Sequence, residues 1–218
     1  MTKVSENGTT VLDKKKTTKK EDLGVKNIVL PELDFKQITL TVEGIAPLIV
    51  NNFSEKAQQM MLDKQTKKAS KGREAKNPEE QYLGSLYMFP DKKRTGFPAV
   101  GFKAAMVRAG KLLGMPMTDT RGKFHILPSA DGGNLVQIKG KYSKRTDTVI
   151  LATGVADIRF RAEYELGWTA EVTIMYNATW ISQEQIAQLL NTAGFSCGIG
   201  EWRPEKSNSG SFGLFRVK

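Results

Sequence analysis

The chain has 218 residues, of which 33 are Lys or Arg and 23 are Asp or Glu, a net charge of +10 with the one histidine neutral. This length supports a single large domain with a core of its own, and a lone cysteine, Cys197, excludes both a disulfide framework and a cysteine-built zinc site. No apolar run approaches the roughly 18 residues that cross a bilayer, and Met1 to Lys20 has no signal-peptide core, so a soluble, intracellular protein is expected. The charge leaves nucleic acid, an anionic surface and acidic protein as partner classes.

Residues 1–26 carry Lys3, Lys14, Lys15, Lys16, Lys19, Lys20 and Lys26 with little that is large and apolar. Such a segment buries too little surface to offset the entropy of ordering, and it reads as a disordered basic arm ahead of one domain over 27–218. The first strand is expected over Phe35 to Glu43, where Ile38, Leu40 and Val42 alternate with polar residues. Gly44 and Pro47 break it, and Ser54 caps a helix through Leu62. The chain then runs through Lys67, Lys68, Lys71 and Arg73, so that about 54–80 reads as a basic insertion.

Pro98 to Leu113 follows as an amphipathic helix with Phe102, Met106, Ala109 and Leu113 on one stripe and Lys103 and Arg108 off it. A second insertion, about 114–153, holds short strand candidates at Phe124 to Leu127, Leu135 to Ile138 and Thr148 to Leu151, with Lys144 and Arg145 beside Tyr142. Two longer strands, Val155 to Glu165 and Thr169 to Asn177, are expected to pair as a hairpin about Gly167. Arg159 and Arg161 share one face of the first of these, about 7 Å apart, close to one nucleotide step. Ser182 and Gln185 form a capping box with Ile181 and Ile186 placed as its staple. The helix they open buries Ile186, Leu189, Leu190 and Ala193, stops at Gly194, and is followed by a last strand over Phe212 to Val217.

Without the insertions the order is β-α-β-β-α-β. This is an α+β plan of the ferredoxin-like, RRM-like kind, with both helices on one face of an antiparallel sheet and the other face free. In recognition modules of this plan single-stranded nucleic acid lies on the free face.

Catalytic groups are sparse. His125 alternates with Phe124 and Ile126 as a strand histidine held by a local hydrogen bond, and Cys197 has no neighbouring base to activate it. No phosphate-binding P-loop, dinucleotide fingerprint or compact metal-ligand set occurs, so no cofactor is expected. The chemistry concentrates between the last helix and the last strand. Glycines there let one backbone approach another and expose N–H donors to anions. Arg203 and Lys206 add charge beside Trp202, a plate on which a base can stack. A tight turn with Trp202 in the core is the competing structural reading.

The pattern Gly198-x-Gly200-x-x-Arg203, then Gly210-x-x-Gly213-x-Phe215, resembles the glycine-rich loop of the RAMP superfamily, the CRISPR-associated RNA-binding proteins. Within it the chain is more similar to the backbone subunits that polymerise along guide RNA than to the guide-processing endonucleases. Some backbone subunits cleave target RNA with an aspartate in the loop after the first strand; here that loop, Gly44 to Ser54, has Asn51 and Asn52 and no Asp.

The resemblance implies a non-catalytic, cytoplasmic protein of a bacterium or a phage that holds single-stranded RNA as repeated copies, beside other effector-complex subunits. The residues expected to touch RNA are Gly198, Gly200, Trp202, Arg203, Lys206, Gly210 and Gly213 of the loop, with Arg159, Arg161, Lys103, Arg108, Lys144 and Arg145. Lys67, Lys68, Lys71 and Arg73 are expected to clamp from the first insertion. The alternatives are a phage-type single-stranded DNA-binding or annealing protein, an RNA endonuclease using His125 or a carboxylate, and an assembly protein whose charge serves only solubility.

Overall fold

The computed structural model describes residues 32–53, 55–66, 76–151, 153–207 and 209–218. The basic arm at 1–26 and the clamp residues Lys67, Lys68, Lys71 and Arg73 lie outside the described residues. In chain order the elements begin with β1 (Phe35–Gly44), β2 (Leu48–Val50), α1 (Glu55–Gln65) and α2 (Pro78–Gly84). Next come β3 (Tyr87–Met88), β4 (Thr95–Pro98), α3 (Ala99–Leu112), α4 (Met117–Lys123), β5 (Phe124–Leu127) and β6 (Leu135–Lys139). The chain closes with β7 (Tyr142–Ile150), β8 (Ala156–Tyr164), β9 (Thr169–Asn177), α5 (Gln183–Ser196) and β10 (Phe215–Val217).

The strands form two antiparallel sheets. The larger runs β10-β1-β9-β6-β4-β3, with β5 also on β9, and the smaller runs β2-β8-β7. The period-two pattern of β1 sets the larger sheet's register. Ile38, Leu40 and Val42 stand opposite Ile174, Val172 and Ala170 of β9, and all six point to the side that α3 and α5 cover. Phe102, Met106 and Ala109 of α3, and Ile186, Leu189, Leu190 and Ala193 of α5, are fully buried there. Burying each of the large side chains is worth about 1.5–3 kcal/mol. The capping box of α5 forms, with Gln185 N–H donating to Ser182 Oγ at 3.2 Å and Ser182 N–H to Gln185 Oε1 at 2.9 Å.

Four expectations change. Leu113 does not join the α3 stripe: it lies past the helix end and is 46% exposed. Gly194 does not end α5 but sits inside it, where a Cβ would stand 2.1 Å from Phe215 O, so the missing side chain lets β10 lie on the helix. The stretch 114–153 supplies β5 and β6 to the larger sheet rather than standing apart from the core. Finally, β8 and β9 are not a hairpin, because β8 pairs with β7 along its length while β9 pairs with β1, β5 and β6. Trp168 decides this. Its indole is fully buried and donates from Nε1 to Ala46 O at 2.9 Å, while its carbonyl accepts from Gly44 N–H at 2.7 Å. Anchored there, the chain crosses from one sheet to the other.

Candidate nucleic-acid interface

The glycine-rich loop packs on the protein itself. Ile199 N–H donates to Gly213 O at 3.0 Å, Gly213 N–H to Pro47 O at 2.7 Å, and Glu201 N–H to Ile49 O at 2.9 Å. A Cβ at Gly200 would stand 2.4 Å from Ile49 O, one at Gly210 1.9 Å from Trp202 O, and one at Gly213 1.8 Å from Ile199 O. Gly198 is likewise buried against Gly213 and Phe212. The close backbone approach that these glycines permit is made to other polypeptide on the side of each missing Cβ.

The loop's side chains face outward to a greater degree. Trp202, held at φ +52, is half-buried, edge-on to Phe212 with ring centroids 6.0 Å apart. The Arg145 guanidinium from β7 stands over both rings, 5.2 Å from the Trp202 centroid and 4.8 Å from that of Phe212. The loop thus docks on the charged face of the smaller sheet. Beside it Glu201, Trp202, Lys206, Ser207 and Ser209 line an open cleft of ≈ 470 Å³.

The cations in this region are matched by the protein's own carboxylates. Lys206 Nζ lies 3.0 Å from both oxygens of Glu201. Arg203 donates from Nη1 to Gly200 O at 2.7 Å and from Nε to Glu205 at 3.1 Å, pinning the loop, and burial pulls its pKa down. Arg108 of α3 reaches the same Glu205, and Lys144 pairs with Glu79 of α2. Arg145 donates to Asp147 at 2.7 Å and to Glu163 at 2.8 Å; burial opposes its charge, but these bonds leave its pKa raised. Lys103 instead meets His125, Nζ to Nδ1 at 3.1 Å, and shares a cleft of ≈ 260 Å³ with Arg108 and Arg121. Burial first and Lys103 second depress the pKa of His125.

Arg159 and Arg161 differ from the expected open pair. Register places both on the face of β8 that carries Asp157 and Glu163, opposite Asp147 and Arg145 of β7. Arg159 keeps 43% of its side chain exposed, 3.9 Å from Asp157, whereas Arg161 is only 3% exposed. The physical reason is the docked loop: its aromatic pair and Glu201 cover this end of the charged face. A further cleft of ≈ 360 Å³ opens beside Arg159 and Arg161, and its other walls include Asn51, Asn52, Phe53 and Lys76. Of these, the sequence marked the asparagine pair, by its place after the first strand, and Lys76, as the last cation of the basic stretch in the first insertion; Phe53 gave no local signal.

The uncovered face of the larger sheet is polar. Thr39 and Thr173 share a hydrogen bond of 3.0 Å, and Lys139 pairs with Glu171 and Arg216 with Glu43. Its charges cancel, and it offers few aromatic plates. The loop and smaller sheet are therefore the better candidate for a polyanion than the open sheet face.

Comparison with protein-family models and with curated proteins gives no match. Among solved structures, the chain is similar to one in the type III-B Cmr-beta complex bound to cognate target RNA. The TM-score is 0.53 and the identity 9%, over 85% of this chain and 59% of that one, so this chain spans less than two thirds of the neighbour's length. Cmr6 from Pyrococcus furiosus also matches, with a TM-score of 0.40 and 10% identity over 84% of this chain and 98% of that one.

Proposed function

We propose that this chain, whose structural neighbours are RAMP-type CRISPR type III-B proteins, binds single-stranded RNA as a non-catalytic subunit of an effector-type ribonucleoprotein, in copies repeated along the strand in the cytoplasm. The observation that carries the reading is the likeness of fold, over most of this chain, to a chain in a complex bound to cognate target RNA. Within the larger sheet, the order β10-β1-β9-β5 with α3 joining β1 to β5 and α5 joining β9 to β10 supports a ferredoxin-like core. A fold does not dictate a function, and the residues of the site carry the rest of the reading. Trp202, Lys206 and Arg145 gather where the loop meets the smaller sheet, a pairing of plates and cations that suits unpaired bases on a phosphate chain.

The non-catalytic part rests on the groups a cleavage would need. His125, the one histidine, has its Nδ1 engaged by Lys103 Nζ at 3.1 Å. Competition between single-stranded RNA and DNA of one sequence tests the strand type. RNA is expected to win, since only it offers the 2′-hydroxyl; equal competition favours the DNA-annealing alternative. Labelled RNA incubated with magnesium is expected to remain intact, and shortened products would reassign the protein as a nuclease.

A further inference from the structure

We propose that the cleft along the open edge of β8 is a phosphate-binding site that takes one phosphodiester of the bound strand, with Arg161 as buried anchor, Arg159 at the mouth and Phe53 as the plate for an adjoining base. This rests on the function proposed above and deepens it by naming where the strand is gripped.

The cleft follows from uneven pairing. β8 is paired to β7 from Ala156 to Tyr164 but to β2 only from Ala162 to Tyr164. Beyond that point no strand among the described residues pairs with its second edge, and side chains satisfy part of it: Ala162 N–H donates to Ser85 Oγ at 2.8 Å, and Lys76 Nζ donates to Ile158 O at 2.7 Å. Asn51, Asn52 and Phe53, leaving β2, turn beside this edge and close the other wall.

Arg161 makes the cleft more than a surface dent. Its side chain is 4% exposed, yet Nε and Nη1 have no hydrogen-bond partner. Asp147 Oδ2 pairs with Nη1 as an ion at 3.8 Å, beyond hydrogen-bonding distance, and accepts no hydrogen bond itself. A buried guanidinium without acceptors is costly, and burial pulls its pKa down. Nε and Nη1 are sealed in this arrangement, so the guanidinium meets a phosphate in the cleft by turning toward the mouth, where its planar fork matches the phosphate oxygens in two-point geometry. Lys76, bonded to Asp157, joins Arg159 and Arg161 in the cleft, three cations against the carboxylates of Asp157 and, 3.8 Å from Arg161, Asp147. Phe53, 51% exposed on the rim, stacks only a base that is free of a duplex.

The test is fluorescence anisotropy of the full chain with a labelled single-stranded RNA across a salt series, for the wild type, Arg159→Gln and Arg161→Met. Each variant is expected to weaken binding about tenfold, the scale of one charged hydrogen bond. Arg159→Gln should also flatten the salt slope by about 0.7, one phosphate contact on a single strand. Arg161→Met should leave the melting temperature near that of the wild type, because the methionine fills the same space and Asp147 keeps its closer pair with Arg145 at 2.7 Å. Wild-type affinity and slope in Arg159→Gln, or a lowered melting temperature with unchanged affinity in Arg161→Met, overturn the site. A wild-type chain that binds no strand at all overturns the function itself, which is a different result.

Discussion

Gly213 sits at φ +67 with the place of its missing Cβ 1.8 Å from Ile199 O, whereas Gly133, at φ +63, has nothing within 4 Å of that place. Both pay the left-handed backbone cost on substitution, about 1–2 kcal/mol, but only Gly213 adds a clash with backbone that cannot rotate away. Gly213→Ala is therefore expected to lower the urea midpoint well beyond Gly133→Ala, and equal shifts would show that the loop relaxes around the methyl group. His125 gives a pH-dependent counterpart. Its folded pKa lies below the ordinary 6.5, so the unfolded chain binds the extra proton first and stability falls as pH drops through the window beneath 6.5. Melting curves on either side of that value should show this loss in the wild type and not in His125→Gln. Both residues were visible in the sequence as special. What each glycine approaches was not, because the partner carbonyls of Gly200 and Gly213 come from Ile49 and Ile199, positions that sequence spacing does not link to them.

The glycine-rich loop brings its own counter-charges. Glu201 holds Lys206, and Glu205 holds both Arg203 and Arg108. The Lys206–Glu201 pair, its lysine 54% exposed, is of the kind worth about 0–1 kcal/mol, so a phosphate must displace a weakly held carboxylate before it meets the lysine. Glu201→Gln is expected to tighten RNA binding about two- to fivefold at low salt, with the gain fading as salt rises; weaker binding would mean that the pair shapes the loop instead of screening it. Elements with a strong local period, β1, β5, β9 and the helices α3 and α5, were legible within a residue or two. The short β2, β3 and β4 and the helices α2 and α4 passed unread. Three apolar residues such as Leu48–Val50 carry no period, and their strand character comes from β8 lying alongside.

The two sheets meet where β1 hands over to β2 and β8 to β9, and Trp168 joins both crossings. Its indole contacts Phe215 with centroids 6.1 Å apart, donates to Ala46 O, and fills the space beside Gly44. Trp168→Ala should cost about 3–5 kcal/mol and also weaken RNA binding, because the loop and β8 are then no longer held in one arrangement. Full RNA affinity in a variant this destabilised would place the binding surface on one sheet alone. By itself, the sequence determined the α+β class, the strands and helices whose burial pattern repeats locally, the surplus of positive charge, and a loop too rich in glycine to be ordinary. The tertiary structure decided which strands are neighbours, that the loop's glycines serve contacts within the protein, and that Arg161 is buried without an acceptor beside a cleft. The division is physical: period and composition act over a few residues of chain, whereas the pairings of β1 with β9 and of β2 with β8, and the anchor of Trp168 on Ala46 at |i−j| = 122, join segments 100 or more residues apart.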